Sequence, residues 1–200
     1  MNTHVQTTRL DPEKHQDGVR CFLDYFALSP RRPGTRFLQE ILERFAHLPY
    51  ENLSKIISLN QSEDWNRPRL RLPETVIGEH IERRLGGTCF SLTFYLQTIL
   101  TQCGFRCYPV MADMRAGRNL HCCLIVLLDG TKFLVDPGYL LTRPMEIHPE
   151  KPRLYRSEFA GIELRYEART RRYHLSTFTK QESKWRYSFY DRPVPPEEFL

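Results

Sequence analysis

The spacing of apolar residues changes at Gly104, and this change restricts the fold more than any other feature of the 200-residue sequence. Before Gly104, apolar residues recur every three or four positions, as they do on one face of a helix. After Gly104 they form short runs rich in β-branched residues, as they do in strands. Helices followed by strands are typical of the α+β class. We therefore predict an N-terminal helical bundle over residues 1–104 and an antiparallel β-barrel or sheet over residues 105–200.

Four helices are predicted in the first half, over residues 16–27, 35–47, 73–86 and 89–103. The third begins near Pro73, a residue favoured in the first turn of a helix, and ends at the Gly86-Gly87 pair. The polar, arginine-rich residues 60–72 show no regular spacing and are predicted to form a surface loop.

Six strands are predicted in the second half, over residues 106–111, 120–128, 132–135, 162–168, 173–178 and 185–190. Asp129-Gly130 is a strong turn signal between the second and third of these strands. In a hairpin centred on this turn, positions whose numbers sum to about 259 face each other. The Pro- and Glu-rich residues 193–199 are predicted to form an extended, loosely held end.

Composition and charge argue against several classes of protein. Hydrophobic residues make up 40% of the chain and charged residues 26%, as in ordinary globular proteins, and no apolar run approaches the ~18 residues of a membrane span. No signal peptide is visible at the N-terminus, so we expect a cytoplasmic protein with no membrane partner. The net charge of +5 suits an anionic small molecule, and because no nucleic-acid-binding signature accompanies it, we expect no nucleic-acid partner.

Cys89 has an unusual position among the six cysteines, which we expect to be free thiols in a reducing compartment. It follows Gly86-Gly87-Thr88 and occupies the first turn of the fourth predicted helix. The unpaired N–H groups and partial positive charge of a helix N-terminus favour a thiolate and supply an oxyanion hole. Cys89 is therefore a candidate nucleophile, although free cysteines are also common as small buried hydrophobic residues.

His121 and Asp136 are candidate partners of this nucleophile. His121 begins one strand of the predicted hairpin and Asp136 ends the other, so both lie at its open end. A carboxylate beside a histidine fixes the tautomer and stabilises the imidazolium, as a general base requires. The alternative is a structural histidine together with a turn-forming aspartate before Pro137-Gly138.

A metal site is the competing use of these cysteines and of His121. Cys103 and Cys107 lie on either side of a helix-to-strand boundary, and Cys122 and Cys123 point to opposite faces of a strand. Because these spacings do not match a zinc site, we expect no bound metal.

The sequence contains three ordered motifs: Leu-Pro-Tyr-Glu-Asn-Leu at residues 48–53, Arg-Arg-Leu-Gly-Gly-Thr-Cys-Phe at residues 83–90, and His121 followed by Val-Asp-Pro-Gly-Tyr at residues 135–139. These motifs resemble those of the arylamine N-acetyltransferases. The motifs of the family read approximately PFENL, RGGxCFE and H…VDVGF, in the same order. A weaker similarity continues through residues 185–199, where the family has a strand with a Tyr-x-Phe element.

The resemblance implies a papain-like catalytic core in which the two halves form one catalytic unit, with the family's C-terminal lid segment largely absent. It also implies a ping-pong reaction in which Cys89 accepts an acetyl group from acetyl-coenzyme A, with His121 as base and Asp136 as its partner. The acceptor is then an arylamine, hydrazine or hydroxylamine, and acetyl-coenzyme A or another acyl-coenzyme A is a co-substrate rather than a permanently bound cofactor. The residues that the resemblance places against substrate are Phe90, Gly138 and Tyr139.

The sequence departs from the family pattern at Leu85, Ser91 and Leu140. Leu85 replaces the arginine that, in the family, pairs with the glutamate equivalent to Glu51. Since a buried carboxylate needs a cation, we predict that Arg84 turns inward to contact Glu51.

Two further interpretations fit the same residues. A cysteine amidase or peptidase-like hydrolase, or an amide synthase, uses the same triad, and a hydrolase differs by admitting water to the acyl-enzyme. The other interpretation is a binding module that has kept the fold and lost turnover, which the intact set of Cys89, His121 and Asp136 disfavours.

Overall fold

A computed structural model describes residues 10–60, 70–139, 141–156 and 160–199, and in it helices are followed by strands as the sequence predicts. The α+β class, with a helical bundle followed by an antiparallel β-barrel, is therefore confirmed. The division into two units at residue 104 stays a prediction. Within the described ranges, every helix is too short or too polar to cross a membrane.

The helices of the first half are α1 (Gln16–Tyr25), α2 (Thr35–Phe45), α3 (Leu53–Asn60), α4 (Pro73–Arg83) and α5 (Cys89–Gln102). Helix α3 is not among the four predicted helices, although Leu53, Ile56 and Ile57 have helical spacing; in the structure these apolar side chains remain exposed. Most of the loop predicted over residues 60–72 lies outside the described residues.

Helix α4 ends before the glycine pair at which the sequence predicts its end. Arg84 adopts the left-handed conformation, with a φ of 59°, and its backbone N–H donates to the His80 carbonyl at 2.9 Å. A residue in this conformation commonly closes a helix. Gly86 therefore lies outside the helix, where its backbone can approach another segment of the chain.

Helix α5 lies at the centre of the protein and is buried on almost every side. It packs against α1 and α4 on one side and against the first two strands on the other. Its buried hydroxyl groups are hydrogen-bonded: Thr93 donates to the Cys122 carbonyl at 3.2 Å, and Tyr95 donates to the Gly18 carbonyl at 2.9 Å. These two bonds fix α5 relative to the sheet and to the bundle.

The strands are β1 (Arg106–Met114), β2 (Gly117–Leu128), β3 (Thr131–Val135), β4 (Met145–Glu146), β5 (Arg153–Arg156), β6 (Gly161–Glu167), β7 (Arg172–Phe178) and β8 (Ser183–Phe189). Their order in the sheet is β4-β3-β2-β1-β8-β7-β6-β5, and all neighbouring pairs are antiparallel. The sequence pattern does not predict β4 and β5, which are only two and four residues long. These edge strands contact each other where Arg153 Nη2 donates to Glu146 Oε2 at 2.5 Å, so the barrel is nearly closed.

The hairpin of β2 and β3 has the predicted register. Leu124 faces Val135, so the residue numbers of the pair sum to 259, and the turn is Asp129-Gly130 as predicted. Successive β2 side chains point to opposite faces, so Cys122 packs toward the helices and Cys123 into the barrel.

Two apolar cores lie on the two faces of the sheet. The core between helices and sheet includes Phe22, Leu38, Ile41, Phe45, Leu96 and Val126. The core inside the barrel includes Val110, Ile125, Leu134, Leu175 and Phe189. Burial of each such side chain contributes roughly 1.5–3 kcal/mol, and because β2 contributes to both cores, its position is determined from both sides.

The end of the chain is packed rather than loosely held, so that prediction is wrong. Val194 donates its backbone N–H to the Pro109 carbonyl at 3.0 Å, and a short helix α6 (Pro196–Phe199) follows. The Phe199 ring is buried and lies edge-on to the Phe90 ring, with centroids 5.4 Å apart. These apolar contacts hold the end of the chain against the first turn of α5.

The backbone before Cys89 is clamped against residues 49–51. Gly87 donates its N–H to the Pro49 carbonyl at 3.1 Å, and Glu51 donates to the Gly87 carbonyl at 3.0 Å. A Cβ atom on Gly86 would lie 1.8 Å from the Pro49 carbonyl oxygen, so a larger residue would displace the backbone. Close backbone contact therefore requires Gly86, and the same contact fixes the path of the chain into α5.

Arg71, and not Arg84, is the cation beside Glu51. Arg71 Nη1 lies 3.7 Å from Glu51 Oε1. The predicted contact between Arg84 and Glu51 is wrong, because Arg84 closes α4 in the left-handed conformation and its guanidinium donates to the Tyr25 hydroxyl.

Arg71 connects three segments of the chain around Gly86. Its buried guanidinium donates to the Gly86 carbonyl, the Ser54 hydroxyl and the Glu79 carboxylate. Glu51 completes the network by accepting from the Gly86 N–H at 3.1 Å and the Ser54 N–H at 2.9 Å. The departure at Leu85 is therefore compensated by an arginine from a different segment of the chain.

We expect Arg71→Ala to lower the free energy of unfolding by about 3 kcal/mol, because it leaves the Glu51 carboxylate without its cation in a largely buried site. Arg84→Ala is the matched control and should change it by less than about 0.5 kcal/mol, since the Arg84 side chain is exposed. Urea unfolding of both variants measures the difference. Equal losses from the two substitutions would contradict the assignment of Arg71.

Candidate active site

The structure brings the three candidate catalytic side chains together. His121 Nε2 lies 2.8 Å from Asp136 Oδ2. Cys89, His121 and Asp136 all border Gly138: a Cβ atom there would lie 2.7 Å from His121 Cε1, 3.3 Å from Asp136 Oδ1 and 3.3 Å from Cys89 Cβ. All three side chains are buried, with relative exposures of 5%, 3% and 0% for Cys89, His121 and Asp136. Their catalytic roles stay predictions.

Asp136 accepts hydrogen bonds on both carboxylate oxygens. Oδ1 accepts from the backbone N–H of Gly138 at 2.9 Å and of Tyr139 at 3.2 Å. Oδ2 accepts from His121 Nε2 and from the Tyr187 hydroxyl. A fully buried carboxylate is tolerated only when it is bonded in this way, and the four donors hold it aimed at His121.

The His121 ring is held in one orientation by aromatic neighbours. Its centroid lies 4.7 Å from that of Tyr187 and 5.4 Å from that of Tyr139. Because Nε2 donates to Asp136, Nδ1 is the nitrogen left to exchange a proton with the thiol. Burial opposes the imidazolium, but the Asp136 carboxylate outweighs it and raises the pKa of His121 to about 10.

Cys89 begins α5, and its thiol is acidified by several neighbours. A hydrogen bond from the Cys122 thiol, together with the hydrogen bond and positive charge of His121, lowers the pKa of Cys89 to about 5 in spite of burial. The N–H groups of the first turn of α5 have no carbonyl partners within the helix, and the Thr88 side chain makes no capping bond to them in the described structure. The two shifts, a lowered pKa for Cys89 and a raised pKa for His121, both favour a thiolate–imidazolium pair.

The other residues predicted to contact substrate also surround Cys89. Phe90 is half-buried and packs on Phe199. Gly138 lies between the three catalytic candidates, and Tyr139 is half-buried with its ring edge-on to His121. Their contact with substrate stays a prediction, and Leu140 lies outside the described residues.

Sequence reasoning does not identify Tyr187, Cys122 or Thr93 as parts of the site. Tyr187 lies in the Tyr-x-Phe element that resembles the family, so that element is the signal for it. Cys122 and Thr93 have no comparable signal, because their roles depend on the packing of α5 on β2. The described residues include no group of three His, Cys, Asp or Glu side chains placed to hold a metal ion.

A family model described as N-acetyltransferase matches residues 36–200. No curated protein matches the chain significantly in sequence.

Among solved structures, the chain is similar to arylamine N-acetyltransferase C from Bacillus anthracis (20% identity, 92% of this chain and 73% of that chain covered, TM-score 0.69). It is also similar to the arylamine N-acetyltransferase from Mycobacterium abscessus (18% identity, 95% and 70%, TM-score 0.75). A third is an arylamine N-acetyltransferase from Bacillus cereus described with a unique Cys-His-Glu catalytic triad (18% identity, 92% and 73%, TM-score 0.70). The TM-scores show a shared fold.

We expect the rate of Cys89 alkylation by iodoacetamide to rise with a midpoint near pH 5, because only the thiolate reacts and its pKa is about 5. Burial raises the pKa of Cys103 and of Cys107 to about 11, so these thiols should stay unlabelled at mildly acidic pH. Peptide mapping after brief labelling across a pH series measures both. A Cys89 midpoint near the ordinary value of about 8.5 would contradict the ion pair.

Proposed function

Because the chain belongs to the N-acetyltransferase family, we propose that it transfers an acetyl or related acyl group from a coenzyme A thioester to an amine through an acyl-enzyme on Cys89. The proposed acceptors are arylamines, hydrazines and hydroxylamines, and the proposed kinetic mechanism is ping-pong. The observation that carries the proposal is the buried Cys89 thiol at a helix N-terminus, beside a histidine bonded to Asp136.

In the first half-reaction, the Cys89 thiolate attacks the thioester carbonyl, and the carbonyl π electrons move to oxygen. The first-turn N–H groups of α5 stabilise this oxyanion. Collapse of the intermediate breaks the bond to coenzyme A, whose sulfur takes a proton from His121. Acyl-Cys89 and the free thiol of coenzyme A are the products, and His121 is now neutral.

In the second half-reaction, the amine attacks the carbonyl of acyl-Cys89. His121 accepts a proton from the attacking nitrogen, and the bond to Cys89 breaks with release of the amide. Asp136 stabilises the imidazolium that forms and keeps the ring in place through the Nε2 bond. The enzyme returns to its thiolate–imidazolium state.

Burial of the thiol supports transfer over hydrolysis. A transferase must keep water from the acyl-enzyme, and Cys89 is covered by an apolar cluster that includes Phe94 and Phe199. A hydrolase or an amide synthase would use the same triad. The ratio of amide formed to acid formed from one acylated enzyme distinguishes the transferase from the hydrolase.

The contacts of Asp136 support a Cys-His-Asp triad in this chain. The Bacillus cereus relative is described with a glutamate in the triad. Here the aspartate Oδ1 accepts from the backbone N–H groups of Gly138 and Tyr139 while Oδ2 reaches His121.

We further propose a cytoplasmic location and small-molecule partners alone, with no nucleic acid and no membrane. All six cysteines are free, which supports a reducing compartment. The proposed donor is a co-substrate that leaves after each half-reaction, so no cofactor stays bound between turnovers.

Incubation with acetyl-coenzyme A should add one acetyl group to the protein, as measured by intact mass, with Cys89 as the modified residue. Cys89→Ala should abolish the adduct. Cys103→Ser is the matched control at a buried cysteine of the opposite end of α5, and it should still become acetylated. An acetyl adduct on the Cys89→Ala variant would show that Cys89 is not the acetylated residue.

Asp136→Asn should reduce the single-turnover acylation rate by several orders of magnitude, since a neutral amide can hold the wrong imidazole tautomer. The serine-protease precedent is about 10⁴-fold. Circular dichroism should show a folded protein, because the amide oxygen can still accept from the backbone N–H groups of Gly138 and Tyr139. A near-normal acylation rate would show that Asp136 serves only the turn and has no part in catalysis.

A further inference from the structure

A cavity of about 730 Å³ lies beside the active site, where the start of β2, the turn between β6 and β7, and the end of the chain meet. Its lining includes Met111, Arg118, Arg171, Arg172, Tyr190 and Glu198, and we call it the arginine cavity. Its volume falls in the range of small-molecule sites, roughly 300–1,000 Å³.

The arginine cavity lies near the apolar cluster that contains the nucleophile. Met111 lines it, is the strand partner of Cys122, and packs on the apolar cluster that contains Cys89. On the other side, Glu198 lines it and directly precedes Phe199, which belongs to the same cluster. The cavity and Cys89 therefore border the same apolar cluster.

Three carboxylates line the cavity, and each has a cation as its partner. Asp113 accepts from Arg172 at 2.5 Å, Asp191 from Lys132 at 2.5 Å, and Glu198 lies 3.7 Å from Arg192.

Two more arginines line the cavity without such a partner. Among the described residues, no carboxylate forms an ion pair with Arg118 or Arg171. They come from separate elements, since Arg118 is in β2 and Arg171 is in the turn before β7. The cavity therefore presents two guanidinium groups outside any ion pair of the described residues, although Arg118 lies near enough to Asp113 to help lower the pKa of that carboxyl.

Arg172 adds an unused donor to the same wall. Its Nη2 is bonded to Asp113 and to the Ser188 carbonyl, but its Nε is buried with no hydrogen-bond partner among the described residues. Its guanidinium also covers one face of the Tyr190 ring, at 4.7 Å from the centroid. A buried N–H donor without an acceptor is uncommon in proteins and is the kind of group that a ligand satisfies.

We propose that the arginine cavity binds the phosphate-bearing nucleotide end of the acyl donor, with Arg118 and Arg171 on the phosphates. This inference rests on the proposed function. The amine acceptors are neutral or cationic and gain nothing from guanidinium groups, whereas a coenzyme A thioester carries several phosphate charges. The half-exposed Tyr190 ring, already stacked on Arg172, is placed to contact the base of the nucleotide.

The test compares two thioesters that differ only in the nucleotide, acetyl-coenzyme A and acetyl-pantetheine. The quantity measured is the ratio of their second-order rate constants for acylation of Cys89, followed by intact mass. The test variant is Arg118→Gln with Arg171→Gln, which removes both charges and keeps polar side chains. Arg169→Gln is the control, because Arg169 is on the same β6–β7 turn, is exposed, and pairs with Glu167 at 3.9 Å.

In the unsubstituted protein we expect acetyl-coenzyme A to react faster than acetyl-pantetheine. The double variant should reduce this ratio about tenfold, and Arg169→Gln should leave it unchanged. High salt should also reduce the ratio in the unsubstituted protein, because it screens the two guanidinium groups.

The failure of this inference is distinguishable from the failure of the proposed function. If both thioesters acylate Cys89 with a ratio that the double variant does not alter, the cavity does not bind the nucleotide and the acyltransferase function stands. If neither thioester acylates Cys89 in the unsubstituted protein, the proposed donor is wrong and the inference fails with it. An equal loss in Arg169→Gln would show a diffuse charge effect and would also overturn the assignment.

Discussion

The Asp136 carboxylate is fully withdrawn from water, and its charge is tolerated because four donors reach it. Two donors are backbone N–H groups of the turn after β3, and the other two are His121 on β2 and Tyr187 on β8. An uncompensated buried carboxylate costs several kcal/mol, so these donors must be in place whenever the chain is folded. Since β2 and β8 are brought together only through β1, formation of the sheet and assembly of the acid–base pair are the same event.

The nucleophile depends on a second junction, between the helical half and the sheet. Cys89 is at the first turn of α5, and Thr93, one turn later, donates to the Cys122 carbonyl of β2. The close contact of Gly86 with the Pro49 backbone, together with the Arg71 hydrogen bond to the Gly86 carbonyl, fixes the path of the chain just before that turn. The Cys89 thiol therefore lies near His121 because α5 of the helical half packs against β2 of the sheet. The proposed chemistry depends on this packing.

The sequence predicts those parts of the molecule whose signals are local. The Asp129-Gly130 turn and the alternation along β2 determine the register that places His121 near Asp136, and the glycine pair before Cys89 marks the start of α5. Strands β4 and β5 have no such signal, because they are very short, and the one short apolar repeat of α3 stays exposed in the structure. The Arg71 network and the docking of Phe199 depend on contacts between distant segments, which no local pattern records.

The central claim is that His121 is an imidazolium paired with the Cys89 thiolate at neutral pH, and nitrogen-15 NMR of the histidine rings tests it most directly. The claim predicts that both ring nitrogens of His121 stay protonated from about pH 6 to about pH 9, since its pKa is about 10. Replacement of Cys89 by alanine removes the thiolate and should lower that pKa. A His121 ring that is neutral at pH 8 and titrates near the ordinary value of about 6.5 would contradict the account.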